Sequence, residues 1–292
     1  MSQGRIIKNY NGYYYVDSGQ SNLVTCKLRG KLKLNRFSIM TGDFVEYDEE
    51  GAGNGMITAV RARKNFLDRP TIANLDCIVI TLACANPDFS YLLADKLLAF
   101  AEKAKVPAVL CLNKADLLTE AELAKLVDVY QKAGYEVFVT VARSNIGVAA
   151  LKTRLSGLVS AFGGPSGAGK SSLLNAIAPE LSLVTGSVSE KIGRGKHTTR
   201  YSQLIPFNGG YLADTPGFGN VFVENIEAAD LPEYFREFSQ YSDGCYYRPC
   251  SHTHEPVCGV KTAVAAGKIA SERYASYLSI LEEINSLDKK RS

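Results

Sequence analysis

The segment at residues 164–171 constrains this chain more than any other, because it reads GPSGAGKS and satisfies the spacing G-x-x-x-x-G-K-[ST]. Loops of this kind wrap phosphate oxygens with backbone N–H groups, while the lysine reaches the outer phosphates and the serine holds Mg²⁺. An apolar run at residues 158–162 predicts a buried strand before the loop. Leu173, Leu174 and Ile177 recur afterwards at helical spacing, which predicts a helix whose N-terminal dipole favours anions.

A glycine-rich turn that happens to end in Lys-Ser is the alternative, and the flanking strand and helix argue against it. We therefore predict a phosphate site. Its residues are Gly164, Pro165, Ser166, Gly167, Ala168, Gly169, Lys170, Ser171 and Ser172.

The tetrapeptide Asn-Lys-Ala-Asp at residues 113–116 lies upstream of the phosphate loop. Asp116 can accept hydrogen bonds from guanine N1–H and the 2-amino group, whereas adenine offers neither donor; such pairing can discriminate by about 10⁴-fold. Asn113 can hold the ring edge and the Lys114 stem can cover its face. The apolar run at residues 106–112 places the tetrapeptide at the carboxyl end of a strand, where ligands of open α/β sheets bind. The pattern predicts a guanine site.

Two further segments follow the phosphate loop. Asp214-Thr215-Pro216-Gly217 ends an apolar stretch, so that Asp214 can hold Mg²⁺ through water and the Gly217 N–H can contact the terminal phosphate. Residues 193–200 read GRGKHTTR, a basic and polar composition typical of a loop that γ-phosphate and Mg²⁺ order. Thr199 is the predicted metal-binding threonine, and Thr198 is the alternative.

This motif order resembles the circularly permuted GTPases, in particular the ribosome small-subunit-dependent GTPase A family, over essentially the whole chain. The resemblance implies an N-terminal OB-fold β-barrel, a central α/β P-loop GTPase domain and a C-terminal, mostly helical zinc-binding domain. It also implies weak hydrolysis of Mg²⁺-bound GTP to GDP, stimulated by the small (30S) ribosomal subunit. Binding to 16S rRNA and a role in late small-subunit maturation belong to the same expectation.

The catalytic group departs from the Ras-like pattern. Phe218 stands where a Ras-type enzyme has its water-orienting glutamine, and a phenylalanine cannot position water. The resemblance assigns that role to His197, with Lys170 and Thr199 completing the catalytic set. The alternative for His197 is a solvated loop histidine.

The remaining guanine contact is expected at Ala142, whose N–H can meet guanine O6. The usual serine of this element is replaced here by Val141. Val141 has no hydroxyl to make the bracing hydrogen bond of that serine, whereas the predicted choice of base does not depend on it.

A second site is predicted near the carboxyl end. Cys245, Cys250, His252 and Cys258 place three thiolates and one imidazole within a short loop-like stretch, and four protein ligands suit one structural, tetrahedral Zn²⁺. His254 competes with His252, which the resemblance favours. A pair of disulfides is the alternative and would need an oxidising compartment.

The other cysteines, Cys26, Cys77, Cys84 and Cys111, are expected to be small core residues rather than nucleophiles. Neither a signal peptide nor a membrane span is expected, so we predict a cytoplasmic protein with no membrane partner.

The length of 292 residues suggests two or three domains. We predict an OB-fold RNA-binding domain at residues 1–66, a circularly permuted GTPase domain at 67–222 and a zinc-binding helical domain at 223–292. Expected strands cover residues 5–16, 23–28, 43–47, 56–60, 76–82, 106–112 and 135–141. Expected helices cover residues 91–105 and 263–287.

Charge favours the first domain as the RNA contact. Residues 1–69 hold 11 Lys and Arg against 7 Asp and Glu, a net charge of +4. The basic residues crowd two stretches, with aromatic residues available for stacking; a solvated strand face with ordinary core aromatics is the alternative. The residues concerned are Lys27, Arg29, Lys31, Lys33, Arg36, Arg61, Arg63 and Lys64, with Tyr13, Tyr14, Tyr15 and Phe37.

Three function classes follow. The first is a GTP-hydrolysing switch, expected to be a monomer, that acts on the small ribosomal subunit. The second is a P-loop phosphotransferase with a small acceptor. The third is an RNA-binding assembly protein that only binds GTP. Phosphate release from GTP, with and without small subunits, separates them.

Overall fold

The computed structural model describes residues 1–19, 22–30, 39–68, 70–179, 202–214 and 226–291. The described residues form two compact units. The first holds Met1–Ile78, Thr153–Phe162 and residues 202–214. The second holds Val79–Lys152, residues 163–179 and residues 226–291. The basic residues Lys31, Lys33 and Arg36, together with Phe37, lie outside the described residues.

The described residues form thirteen strands. They are β1 (Ser2–Tyr10), β2 (Tyr13–Asp17), β3 (Val24–Leu28), β4 (Phe44–Gly51), β5 (Asn54–Val60), β6 (Phe66–Asp68), β7 (Thr71–Ala73), β8 (Cys77–Ala83), β9 (Ala108–Asn113), β10 (Glu136–Thr140), β11 (Val159–Gly163), β12 (Gln203–Phe207) and β13 (Gly210–Asp214). The described α-helices are α1 (Tyr91–Lys103), α2 (Glu120–Lys132), α3 (Val148–Leu155), α4 (Lys170–Ile177), α5 (Gly259–Ala265) and α6 (Ser271–Arg291).

Strands β1 to β5 of the first unit close into a barrel in the order β1-β2-β3-β5-β4, with β4 pairing back onto β1. The β3–β5 pair is parallel and the other pairs are antiparallel. Ile6, Val16, Cys26, Val45 and Ile57 are fully buried inside it. A small closed five-stranded barrel of this kind confirms the OB-like fold expected for the N-terminal portion.

The strand predicted over residues 5–16 is in fact two strands. Asn11 and Gly12 adopt φ angles of 50° and 78°, which turn the chain between β1 and β2. Asn-Gly is the pair that a tight hairpin favours, because both positions tolerate positive φ. The apolar pattern alone did not reveal the turn, since aromatic residues continue on both sides.

The first unit also packs β12 and β13 against the barrel. Lys8 of β1 pairs with Gln203 of β12, and the Thr41 hydroxyl donates to the Ser202 carbonyl at 2.9 Å. The Tyr211 hydroxyl donates to Asp17 Oδ2 at 2.7 Å. Within this unit the barrel is therefore hydrogen-bonded to β12 and β13.

In the second unit the strand order is β10-β9-β8, and β10 and β9 pair in parallel. Every residue of β8 and β9 is buried, as strands covered on both faces require. Helix α1 begins where the Ser90 hydroxyl accepts from Leu93 N at 3.2 Å. Helix α2 begins with a capping box between Thr119 and Glu122. This alternation confirms the α/β organisation expected for the central portion.

Residues 226–291 pack 3₁₀ turns, α5 and α6 around an apolar cluster that includes Leu231, Phe235, Phe238 and Tyr277. The single helix predicted over residues 263–287 is wrong, because the chain forms two. Gly267 adopts a φ of 68° just after α5, which ends the helical path before α6 begins at Ser271.

A buried ion network joins α6 to α1. Arg273 donates to both carboxylate oxygens of Glu237 at 2.8 Å and to Asp95 Oδ1 at 2.7 Å. All three residues are at most 2% exposed. Burial raises the pKa of Asp95, and the adjacent guanidinium opposes that shift. Removing any one of the three residues would leave a buried charge without its partner. The network therefore favours one packing of α6 against α1 and the segment that carries Glu237.

Cys26, Cys77, Cys84 and Cys111 are all buried and free, as expected. Among the helices that the structure describes, none combines the length and apolarity needed to cross a bilayer.

Candidate functional site

Three glycines set the backbone path of the phosphate loop. Gly164, Gly167 and Gly169 have φ angles of 137°, 81° and 88°, a region that L side chains rarely adopt. A Cβ at Gly164 would lie 1.9 Å from the Thr81 carbonyl oxygen, and one at Gly169 would lie 2.3 Å from Asn113 Nδ2. Only glycine therefore lets the loop close against β8 and β9.

Lys170 lies at the start of α4 and reaches back across the loop. Its Nζ donates to the carbonyl oxygens of Gly164 and Pro165, each at 2.8 Å. Partial burial lowers the pKa of this ammonium below the ordinary lysine value. Among the residues that the structure describes, these two carbonyl oxygens are the hydrogen-bond partners of the ammonium, and phosphate oxygens can replace them. Ser171 and Ser172 follow on the first turn of the helix and are half-buried.

Asn113 connects the predicted guanine and phosphate segments. It ends β9 and is 1% exposed. Its Nδ2 donates to the carbonyl of Ala168 in the phosphate loop at 2.9 Å. Its Oδ1 accepts from Thr140 Oγ1 and from Ala142 N, both at 3.2 Å. One amide therefore holds three separate chain segments together at the carboxyl ends of the parallel strands.

Lys114 and Asp116, the two charged residues of the tetrapeptide, are less buried than Asn113. Lys114 adopts a φ of 58°, and its ammonium donates to the carbonyl of Asn86. Asn86 lies in the loop between β8 and α1. Asp116 lies in the 3₁₀ turn Ala115–Leu117 and is exposed. A carboxylate that is to read the edge of an incoming base has to be accessible in this way.

Thr140 is a residue that the sequence analysis missed. Val141 occupies the position of the usual serine, but the hydroxyl one residue earlier donates to Asn113 and also lies 3.4 Å from Cys111 Sγ. Thr140 is fully buried. The hydrogen bond that the usual serine would make to this region is therefore made by Thr140, the last residue of β10. A threonine at the carboxyl end of a strand was the sequence feature that could have identified it.

Ala142 is buried at the start of the next 3₁₀ turn. Its N–H, which we expected to meet guanine O6, donates here to Asn113 Oδ1. Asn86 and Pro87 were also missed. Pro87 packs beside Gly167, where an added Cβ would lie 3.2 Å from Pro87 Cδ. Both follow β8, at the same strand ends as the rest of the site.

Several predicted residues lie outside the described part of the chain. They are His197, Thr199 with its alternative Thr198, and Gly217; Asp214 ends β13, but its side chain is not described.

The second predicted site is assembled as one cluster. The ligand atoms of Cys245, Cys250, His252 and Cys258 all lie within 4.8 Å of one another. His252 Nδ1 is 3.6 Å from Cys245 Sγ and 3.3 Å from Cys258 Sγ, and those two sulfurs are 3.8 Å apart. Ligands at tetrahedral Zn²⁺ distances would be separated by about 3.5 Å for S···N and about 3.8 Å for S···S. The residues present fit zinc.

The two alternatives differ from this geometry. His254 is exposed, and its Nδ1 lies 3.0 Å from the Thr253 hydroxyl rather than in the cluster. A disulfide needs sulfurs at about 2.05 Å. Cys245 and Cys258 are far beyond that distance, and all three cluster cysteines are free.

Surrounding groups hold the cluster loop in shape. Gly259 N donates to Cys245 Sγ at 3.3 Å and Lys261 N to Cys258 Sγ at 3.4 Å, as backbone amides do to thiolates. The Tyr274 hydroxyl donates to the His252 carbonyl at 2.7 Å. Burial opposes ionisation of Glu255, but hydrogen bonds from the Ser251 side chain and nearby backbone N–H groups lower its pKa to about 2.

Comparison with known proteins gives concordant matches. The family model described as RsgA GTPase matches residues 60–224, and the RsgA N-terminal domain model matches residues 3–57. Proteins named small ribosomal subunit biogenesis GTPase RsgA are 41% identical over 287 residues in Alkaliphilus metalliredigens and 44% identical over 282 residues in Clostridium perfringens. Both alignments cover 97% of this chain and 98% of the relative.

Two solved structures share the fold. The crystal structure of YjeQ from Thermotoga maritima has a TM-score of 0.84 at 36% identity, covering 97% of this chain and 98% of that one. YloQ, described as a circularly permuted GTPase, has a TM-score of 0.84 at 32% identity, covering 98% and 96%. These matches confirm the expected central GTPase fold, and the chain also has the expected N-terminal barrel and a C-terminal helical segment with the Cys₃His cluster. On this evidence the chain belongs to the RsgA GTPase family and is a hydrolase that acts on GTP.

Proposed function

We propose that this protein hydrolyses GTP in response to the small (30S) ribosomal subunit, binds 16S rRNA and acts late in the maturation of that subunit. The observation that carries the proposal is the hydrogen bond from Asn113 to Ala168. Through this bond, Asn113 contacts the loop at residues 164–171 within one compact unit, which supports a single nucleotide site formed by both segments. The relatives named for small-subunit biogenesis supply the ribosomal part of the proposal.

The proposed nucleotide site divides the work among its residues. Asp116 reads the base edge from its exposed position, and Asn113 holds the surrounding segments. Lys170 exchanges its two loop carbonyls for the outer phosphates. The loop path proposed to wrap a phosphate depends on glycine, because a Cβ at Gly164 or Gly169 would collide with Thr81 or Asn113. Ser171 and Thr199 would hold Mg²⁺, which neutralises phosphate charge when bound.

His197 is the proposed catalytic group, with Asp214 and Gly217 beside the terminal phosphate. Phe218 cannot orient water, so another polar group has to do so. We expect His197→Ala to lower subunit-stimulated turnover by about 10²-fold, the scale of a lost general acid–base group, and to leave GTP affinity within about threefold. Stimulated turnover that stays at the wild-type level in this variant would remove His197 from the mechanism.

The Cys₃His cluster is proposed to hold one structural Zn²⁺ per chain, since four protein ligands leave no open position. We also propose three domains, at residues 1–66, 67–222 and 223–292. The protein is proposed to be a cytoplasmic monomer. Lys27, Arg29, Arg61, Arg63 and Lys64 are the described basic residues proposed to meet rRNA.

The deciding experiment measures phosphate release from GTP, with ATP as the control nucleotide, in the presence and absence of small ribosomal subunits. The proposal expects slow release from GTP alone, clear stimulation by small subunits and none by large subunits. Release that depends on a small acceptor would identify a phosphotransferase. GTP binding without release under any condition would identify a binding-only assembly protein.

A further inference from the structure

The residues that hold the Cys₃His loop, defined as residues 245–258, neighbour the buried ion network in the chain. The Phe238 ring lies 5.5 Å from the His252 ring, centre to centre. The Tyr274 hydroxyl donates to the His252 carbonyl at 2.7 Å. Each of these two aromatic residues directly follows a member of the network. Those members are Glu237 and Arg273. A displacement of the loop would therefore also displace the network.

Arg273 extends the network from the Cys₃His side of the unit to α1. Its guanidinium binds Glu237 on one side and Asp95 of α1 on the other, at 2.7 to 2.8 Å. All three side chains are buried, and a buried ion network has few alternative arrangements. Packed side chains of this kind can carry a displacement from one element to another.

The residues that lead into α1 contact both segments of the proposed nucleotide site. Asn86 accepts a hydrogen bond from the Lys114 ammonium with its carbonyl. Pro87 packs beside Gly167 of the phosphate loop. Asp95 follows on the second turn of α1. Because the bond to Asn86 fixes the direction of the Lys114 stem, the position of α1 affects the surface on which guanine is proposed to lie.

We propose that Asp95 is a positioning residue for guanine nucleotide binding, which ties the Cys₃His loop to α1 through Arg273, so that bound nucleotide and a closed loop stabilise each other. The inference goes beyond GTP hydrolysis and rests on the proposed nucleotide site for the role of Lys114. Coupling between two sites is reciprocal, so a nucleotide that stabilises the closed loop is itself bound more tightly when the loop is closed.

The test is hydrogen exchange of the full-length protein, read by mass spectrometry with and without a saturating non-hydrolysable GTP analogue. In the wild type the analogue should slow amide exchange in residues 245–258 at least about fivefold, the lower end of typical coupling between sites. Asp95→Ala removes the link, although Arg273 keeps both bonds to Glu237. This variant should lose the response and bind the analogue at least about fivefold more weakly. Asp95→Asn keeps an acceptor for the guanidinium and should restore both.

Glu283→Gln is the matched control, because it removes the ion pair between Glu283 and Lys96 that also joins α6 to α1. Glu283 is 40% exposed, and its partner does not contact the network. The response of residues 245–258 should be intact in this variant. Tyr274→Phe cuts the link at its other end, at the His252 carbonyl, and should lose the response as Asp95→Ala does.

The proposal is overturned if the analogue leaves exchange in the loop of the wild type unchanged. It is also overturned if Tyr274→Phe and Asp95→Ala respond like the wild type, or if Glu283→Gln loses the response as fully as they do. Subunit-stimulated GTP hydrolysis by the wild type is measured separately. Its absence would count against the proposed function and not against this coupling.

Discussion

The most informative single substitution is Asn113→Ala, because this amide joins three segments of the nucleotide site. It removes the donor to the Ala168 carbonyl and the acceptor for both Thr140 Oγ1 and Ala142 N. Ala168 and Thr140 are fully buried and Ala142 is 8% exposed, so water cannot readily take over these bonds. Thr140 retains its contact with Cys111 Sγ. The Ala168 carbonyl and the Ala142 N–H, in contrast, lose the Asn113 side chain as their hydrogen-bond partner.

The magnitude follows from the two backbone groups. An unsatisfied buried polar group costs about 1–3 kcal/mol, so the loss of partners for two such groups should destabilise the assembled site by about 2–6 kcal/mol. Since only the assembled site binds nucleotide, that range corresponds to a loss of GTP affinity of at most about 30- to 25,000-fold. Thr140→Val removes one hydroxyl, which donates to Asn113 Oδ1 and contacts Cys111 Sγ, and should cost about 1 kcal/mol, or roughly fivefold in affinity.

The assay is equilibrium binding of a fluorescent GTP analogue, accompanied by chemical denaturation of each variant. Gln131→Ala serves as the control, because Gln131 is exposed and lies near the end of α2, where alanine fits the helical backbone. GTP affinity of Asn113→Ala within threefold of wild type, with unchanged stability, would refute the reasoning that this amide organises the site.

Three further outcomes are expected. Asp116→Asn should weaken GTP binding by about 10³-fold or more and favour a xanthine base, whose pattern of donors and acceptors complements an amide; competition binding with both nucleotides checks this. His252→Ala should abolish the expected one zinc per chain, whereas the exposed His254→Ala should retain it, as a metal assay on purified protein will measure. Arg273→Met leaves two buried carboxylates uncompensated and should lower the free energy of unfolding by about 3–5 kcal/mol, measured by denaturant titration.

The motifs were readable from sequence because each depends on a few neighbouring residues. The phosphate loop requires glycines where φ is positive and a lysine at a fixed offset, and the structure has both. The tetrapeptide follows an apolar strand that was equally visible. The three cysteines and His252 lie close together in the chain, so that their meeting needed only a short loop.

Two predicted elements were wrong because the apolar pattern continued past the residues at which the strand or helix ends. Asn11 and Gly12 interrupt a run of tyrosines, and Gly267 interrupts a helical pattern, in each case through a positive φ. The domain boundaries stay predictions. The expected metal threonine Thr199 and the expected catalytic His197 also stay predictions.

The sequence by itself indicated the family and the candidate residues for its chemistry: a predicted phosphate loop, a predicted guanine tetrapeptide and a Cys₃His set, in a distinctive order. Only the tertiary structure decided how they are held. Thr140 replaces the missing serine, Asn113 joins three segments, and Arg273 meets two carboxylates from distant parts of the chain. Strand pleating alone separates inward Tyr14 from outward Tyr13. Motifs are encoded by short spacing, whereas these contacts depend on strand register and on packing between residues far apart in sequence.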